Sequence, residues 1–142
     1  MQKEDAAHAL LHGKINILIA EDEEYNYLYI AEILSLYNVH ILRAYDGKMA
    51  LDLCISHPEL HLVLMDVRMP VMDGYEATRR IKQIRPSLPV IAQTAYALDS
   101  DRRQALDEGF DDYLTKPVCN ALLLELIEKY TPGNLVLKRT GK

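Results

Sequence analysis

Acidic, hydroxyl and amino side chains recur at one kind of position in this 142-residue chain, directly after short apolar runs. Glu21 and Asp22 follow INILIA, Asp66 ends LVLMD, Thr94 ends VIAQT, and Lys116 follows DDYLT. A carboxylate at the end of a buried apolar run is costly unless it is paired or bound to a metal ion. These residues are therefore candidates for a charged site rather than for the hydrophobic core.

The apolar runs predict five strands that alternate with five helices. Short runs rich in Ile, Leu and Val are typical of strands buried on both faces, and apolar residues spaced three and four positions apart indicate helices. The second strand is the least apolar, as an edge strand would be. We predict strands over residues 15–20, 39–44, 61–66, 89–94 and 111–115, and helices over 23–38, 46–57, 75–85, 100–109 and 120–130.

This alternation predicts an α/β fold with a parallel sheet, because strands joined by helices form right-handed βαβ units. In such sheets the functional crevice lies beyond the carboxyl ends of the strands. Taken singly, Asp22 is explained by a helix dipole, Asp66 by a turn cap, and Thr94 and Lys116 by solvation. Their joint position at one sheet edge favours a site. The second strand ends in Ala44 and adds no such group.

Charge repulsion at this edge predicts a metal ion. Two carboxylates about 4 Å apart repel by about 4 kcal/mol at an effective dielectric constant near 20. One lysine does not offset Glu21, Asp22 and Asp66, whereas a hard divalent cation does, and an open oxygen site suits Mg²⁺. A hydroxyl and a lysine beside the metal suit phosphate oxygens. Asp66 is then a candidate nucleophile toward a phosphoryl group.

Composition excludes several classes of protein. The net charge of −5 argues against a nucleic-acid surface, and no apolar stretch approaches the length of a membrane span. The two cysteines, Cys54 and Cys119, lack CxxC spacing and suit a reducing compartment. We predict a cytoplasmic domain without direct nucleic-acid or membrane contact.

Four segments, ILIAEDEEYN, LVLMDVRMPVMDGYEATRRI, VIAQTAYA and GFDDYLTKPV, resemble the receiver domain of two-component response regulators. The resemblance covers about residues 14–130. It implies a CheY-like (βα)5 flavodoxin-like fold, a three-layer sandwich with strand order 2-1-3-4-5. We predict a leader or linker over residues 1–14, a receiver domain over 15–130 and an exposed C-terminal tail or linker over 131–142.

The resemblance also assigns site residues. Glu21 stands where aspartate is commoner in the family, and its longer side chain still reaches a metal ion or a bound water. The Lys116–Pro117 peptide is expected to be cis. The implied roles are phosphoacceptor for Asp66, magnesium ligands for Glu21, Asp22, Asp66 and the Arg68 backbone carbonyl, and phosphoryl-binding or switch residues for Thr94, Lys116 and Tyr113. Arg68 and Tyr96 lie two residues beyond Asp66 and Thr94, so we expect both to lie at the mouth of the pocket and to tune dephosphorylation.

The resemblance implies a phosphorylation-controlled switch that catalyses its own phosphotransfer and dephosphorylation without being a turnover enzyme. Its partner would be a histidine kinase or a histidine phosphotransfer domain, and dimerisation would use the fourth helix, fifth strand and fifth helix. The segments TKPV and MDGYEATRRIK are most similar to receivers fused to hybrid sensor histidine kinases. A stand-alone response regulator or phosphorelay intermediate remains the alternative. A Mg²⁺-dependent phosphohydrolase is less favoured, because it needs an inserted lid.

Overall fold

Five parallel strands form one sheet in the computed structural model, which describes residues 13–95 and 98–141. The order β2-β1-β3-β4-β5 confirms the prediction, and β2 lies at an edge as expected. The order in which successive strands are added to the sheet therefore reverses at β1, which pairs with both β2 and β3. The strands are β1 (Ile15–Ala20), β2 (Val39–Ala44), β3 (Leu62–Asp66), β4 (Val90–Thr94) and β5 (Asp112–Thr115).

Each strand is followed by a helix, as predicted. The first helix ends four residues earlier than expected, and the Ser35 hydroxyl donates to the Glu32 carbonyl at this end. No helix within the described ranges is long and apolar enough to cross a membrane. The helices are α1 (Glu24–Leu34), α2 (Gly47–Ser56), α3 (Gly74–Ile84), α4 (Asp99–Asp107) and α5 (Asn120–Tyr130).

Two apolar layers hold the helices against the sheet. Alternate side chains of β3 point to opposite faces, so Val63 and Met65 belong to one layer and Leu62 and Leu64 to the other. The first layer contains buried residues of α2, α3 and α4, and the second contains those of α1 and α5. The protein is thus a three-layer sandwich whose strand ends are left open at one edge.

Residues 134–141 make long-range contacts with the segment that follows α1, although most of their side chains are exposed. Leu137 is buried, and the Asn38 side chain donates to the Val136 carbonyl at 2.9 Å. The Lys138 amide donates to Asn38 Oδ1 at 2.7 Å, and the Asn38 amide donates to the Lys138 carbonyl at 3.1 Å. These contacts join residues about one hundred positions apart, so local sequence patterns do not show them.

Candidate functional site at the carboxyl edge of the sheet

Three carboxylates meet where β1 and β3 end. Glu21 and Asp22 directly follow β1, Asp66 is the last residue of β3, and these two strands are hydrogen-bonded neighbours. One carboxylate oxygen of each residue lies within 4.8 Å of the others. Glu21 is fully buried and Asp66 is 6% exposed, whereas Asp22 faces solvent. The structure therefore brings together the acidic residues that the sequence predicted to converge.

Lys116 is the cation that faces this cluster. Its ammonium group lies 2.8 Å from Glu21 Oε1 and donates to Asp66 Oδ2 at 3.0 Å. Burial alone lowers the pKa of Lys116, but hydrogen bonding and charge attraction from the two carboxylates outweigh it and raise the pKa above its ordinary value. The Lys116–Pro117 peptide is cis, as expected. Lys116 is therefore held as a charged ammonium between two acids.

Burial makes Glu21 a weaker acid than an exposed glutamate. Desolvation raises its pKa to about 7, since Lys116 lowers the value only in part and the neighbouring Asp66 raises it further. The Glu23 amide donates to Glu21 Oε2 at 3.2 Å. Glu21 Oε1 is fully enclosed and lies 2.8 Å from the Lys116 ammonium, without an aligned hydrogen bond among the described residues.

Asp66 is oriented by the turn that follows it. The Arg68 amide donates to Asp66 Oδ1 at 3.1 Å, so both carboxylate oxygens have a donor. Gly74 opens α3 close to this turn, and a β-carbon there would lie 2.2 Å from the Asp66 carbonyl oxygen. The Asp73 side chain caps the same helix by accepting from the Glu76 amide at 2.9 Å. The Asp-Gly pair thus allows α3 to begin directly beside Asp66.

A tight turn connects β3 to α3 at the mouth of the site. Val71 has a φ of 70°, which is rare for a β-branched residue, and the Met72 amide donates to the Pro70 carbonyl at 2.7 Å. Beside this turn lies a cavity of about 390 Å³ whose lining includes Asp22 and Arg68. The space leaves the acidic cluster accessible to a small anion and to water.

Thr94 and Tyr113 form the other side of the site. Thr94 ends β4 and is 7% exposed, and Tyr113 lies half-buried on the adjacent β5. Burial raises the pKa of Tyr113, with a further contribution from Asp101, while a side-chain hydrogen bond with Thr94 lowers it. Tyr96, the second residue predicted to tune dephosphorylation, lies outside the described residues. The structure therefore links the predicted hydroxyl and the predicted aromatic switch directly.

Arg43 is a site residue that the sequence analysis missed. It lies on β2, the strand expected to contribute nothing, and its Nη2 donates to the Glu21 carbonyl at 3.2 Å. Its guanidinium lies 4.1 Å from the ring centroid of Tyr27 and 4.3 Å from that of Tyr45, and Nη1 pairs with Glu24 at 2.5 Å. The available signal in the sequence was an arginine one position before the end of the predicted second strand, with Tyr45 directly after that strand. Arg43 anchors the backbone that carries the acidic pair.

The comparisons with known proteins agree with this geometry. Residues 17–128 match the family model described as the response regulator receiver domain. The chain belongs to the response regulator receiver domain family. It is 35% identical over 130 residues to the sensor histidine kinase GacS of Pseudomonas protegens, covering 88% of this chain and 14% of that protein. The receiver domain thus spans about one-seventh of the length of that curated relative.

Two solved structures extend the likeness. One is the receiver domain of the sensor histidine kinase PA1611 from Pseudomonas aeruginosa, which has a magnesium ion in its active-site cleft. It is 36% identical to this chain with a TM-score of 0.74, and the match covers 82% of this chain and 97% of that chain. The other is a chain of the Saccharomyces cerevisiae complex between the phosphotransfer protein Ypd1 and the receiver domain of Ssk1. It is 30% identical to this chain with a TM-score of 0.79, and the match covers 87% of this chain and 92% of that chain. These likenesses agree with membership of the receiver domain family.

Proposed function

We propose that Asp66 of this receiver domain accepts a phosphoryl group from a phosphohistidine of a histidine kinase or histidine phosphotransfer domain. The observation that carries this proposal is the setting of the Asp66 carboxylate. It is almost buried at the end of β3, yet its two oxygens are oriented by the Arg68 amide and the Lys116 ammonium beside an open cavity. A nucleophile held in one orientation loses little entropy on reaching the transition state.

The transfer is a substitution at phosphorus. An Asp66 carboxylate oxygen forms a bond to phosphorus while the bond from phosphorus to the imidazole nitrogen breaks. The electron pair stays on that nitrogen. The other ring nitrogen of the phosphohistidine carries a proton, so the histidine leaves as a neutral imidazole. Lys116 already contacts Asp66, so its ammonium can offset the charge on the phosphoryl oxygens. Thr94, at the adjacent strand end, offers a hydroxyl to the same oxygens.

The donor set fits Mg²⁺. Three carboxylates face a single ammonium group, and the oxygen-only cluster that they form is the ligand type that Mg²⁺ prefers. Asp22, Asp66 and the Arg68 backbone carbonyl would bind the ion, and the buried Glu21, held by Lys116, would act mainly through a bound water. When bound, Mg²⁺ would neutralise charge that develops on the phosphoryl oxygens.

The same site would also govern loss of the phosphoryl group by hydrolysis. The Arg68 side chain is exposed at the mouth of the cavity, where bulk can hinder an attacking water. Arg68→Ala and Tyr96→Ala should each change the lifetime of the phosphorylated protein, whereas Arg80→Ala, on the exposed side of α3, should not. Unchanged lifetimes in both Arg68→Ala and Tyr96→Ala would contradict a role of these residues in dephosphorylation.

We also propose that this receiver domain belongs to a larger signalling protein. Similarity to GacS and to the PA1611 receiver supports a receiver that belongs to a hybrid sensor histidine kinase and works in the cytoplasm. Residues 15–130 would form the receiver domain, with linkers on both sides. A dimer through α4, β5 and α5 would be controlled by phosphorylation. The coding sequence that flanks this chain distinguishes a hybrid kinase from a stand-alone regulator.

The direct experiment measures phosphorylation of Asp66. The protein is incubated with Mg²⁺ and a small phosphodonor such as acetyl phosphate, and intact mass spectrometry counts added phosphoryl groups. We expect one group on the unchanged protein and none on Asp66→Asn. Asp52→Asn, an exposed aspartate of α2 paired with Lys48, is the matched control and should be phosphorylated normally. Normal phosphorylation of Asp66→Asn would contradict the proposal.

A further inference from the structure

A second cavity lies on the other face of the sheet, between α1 and the connection from β5 to α5. Its volume is about 140 Å³. The Tyr29 hydroxyl closes one side by donating to the Val118 carbonyl at 2.9 Å. The lining residues are Tyr25, Asn26, Tyr29, Ile30, Gln93, Lys116, Pro117 and Val118. Its lining shares no residue with the cavity beside Asp22 and Arg68, although the Lys116 ammonium extends from it to Glu21 and Asp66.

Gln93 is an unexplained polar group in this cavity. It is fully buried in β4, and neither its Oε1 nor its Nε2 has a hydrogen-bond partner within the described part of the chain. Ile91, two residues earlier on the same strand face, packs in the apolar layer beneath α1 and α5. Buried amides are almost always paired, because each unsatisfied group weakens the fold. The cavity is where its missing partners would lie.

We propose that this cavity binds a neutral, single-ring amide or lactam through Gln93. The side-chain amide presents a donor and an acceptor side by side, which matches the adjacent carbonyl and N–H of such a ring. The volume is close to that of an engineered cavity of about 150 Å³ that holds benzene. Tyr25, Tyr29 and Val118 add the largely apolar walls that a ring requires.

The charges around the cavity explain why the ligand is neutral. Lys116 is the cationic side chain among the lining residues, but its ammonium group already contacts Glu21 and Asp66. An anion would therefore meet no unpaired positive charge there. Gln93 and Asn26 offer polar partners to water as well, so water is the competing occupant that the test must distinguish. The proposal concerns binding alone and does not depend on phosphorylation of Asp66.

The test uses 2-pyridone as the probe and 2-methoxypyridine as its matched control. Both have one six-membered ring, but only 2-pyridone carries the N–H donor beside its carbonyl. Titrations of ¹⁵N-labelled protein are followed by NMR at the Gln93 side-chain amide and at the Tyr29 and Val118 backbone amides. We expect saturable shifts at these groups with a dissociation constant of roughly millimolar size for 2-pyridone, and binding at least about fivefold weaker for 2-methoxypyridine.

Two variants test the role of the glutamine. Gln93→Met keeps the length of the side chain and removes both hydrogen-bonding atoms, so it should weaken 2-pyridone binding by about tenfold or more. Gln83→Met makes the same change at an exposed position on α3 and should bind like the unchanged protein. If Gln93→Met fails to fold, the comparison of the two ring compounds on the unchanged protein still decides the question.

Three outcomes would overturn the proposal. The first is equal binding of the two compounds, and the second is unchanged binding by Gln93→Met. The third is a crystal soaked with 2-pyridone in which the cavity holds only ordered water. Selective binding of 2-pyridone that depends on Gln93 would establish a small-molecule site on the face of the sheet opposite α3.

Discussion

The Lys116 ammonium lies 2.8 Å from Glu21 Oε1 while it also donates to Asp66 Oδ2 at 3.0 Å. One positive charge therefore faces two buried carboxylates, and the exposed Asp22 adds a third acid nearby. This imbalance is the physical reason that the metal-free site carries excess negative charge. It also explains why burial and the neighbouring Asp66 can raise the pKa of Glu21 to about 7 in spite of Lys116.

The acidity of Glu21 predicts how stability depends on pH. In the folded protein without a bound metal ion, Glu21 keeps its proton up to a pKa of about 7, whereas in the unfolded chain it loses the proton near its ordinary pKa of 4.5. The folded state binds more protons between these values, so this group lowers stability as pH rises from 4.5 to 7. Glu21→Gln should therefore raise the free energy of unfolding at pH 8 by at least about 1 kcal/mol.

Urea denaturation at acidic and alkaline pH, without divalent cations, measures this effect. Glu125→Gln, at an exposed position on α5, is the matched control and should follow the unchanged protein. The same pH dependence in Glu21→Gln and the unchanged protein would show that burial of Glu21 is not the cause.

Arg43 is predicted to strengthen metal binding by holding the backbone of Glu21. Arg43→Lys keeps the charge but loses the planar guanidinium, which donates to the Glu21 carbonyl and stacks between two tyrosine rings. We expect Mg²⁺ binding, measured by NMR titration, to weaken by about three- to tenfold. Glu24→Gln removes the ion pair at the exposed Glu24 and leaves the carbonyl contact, so it should have little effect. Equal weakening in both variants would assign the effect to the Arg43–Glu24 ion pair instead.

Thr94 is predicted to transmit phosphorylation to Tyr113. Their side-chain hydrogen bond must break if the Thr94 hydroxyl moves toward a phosphoryl group, which adds about −1.5 to −2 charge and new acceptor oxygens. A beryllofluoride mimic with Mg²⁺ should shift NMR signals of Thr94, Tyr113 and α4. Thr94→Ser should keep the response, whereas Thr94→Ala should bind the mimic without moving Tyr113. An equal Tyr113 response in Thr94→Ala would rule out this route.

His61 is predicted to destabilise the protein in acid. Its Nδ1 accepts from the Asn16 amide at 2.9 Å, which requires a ring nitrogen without a proton. Burial lowers the pKa of His61, with a further contribution from Arg85. The folded state therefore disfavours the charged ring, and stability is lost as pH falls from the ordinary histidine pKa of 6.5 toward the lower pKa of the folded state. His61→Asn should lose less stability between neutral and acidic pH, measured by urea denaturation. An NMR titration should place the His61 pKa below that of a free histidine.

Local sequence determined the strands and most helix starts. Residues 15–20 form a strand with the predicted bounds because an Ile-rich run ends at charged residues on both sides. Asp46 and Asp73 cap helices through contacts within three residues, which a local pattern can show. Glu21, Asp22, Asp66 and Lys116 could be assigned to one edge because parallel strands bring their carboxyl ends together.

Tertiary structure alone decided the contacts between distant segments. The sequence does not show that Arg43 reaches the Glu21 carbonyl, since this depends on the pairing of β1 with β2. Nor does it show that Gln93 faces a cavity, because the packing of α1 against the connection after β5 creates that space. The docking of Lys138 on Asn38 joins positions 100 residues apart. Such contacts depend on how complete helices and strands pack together, and the local amino-acid composition does not predict that packing.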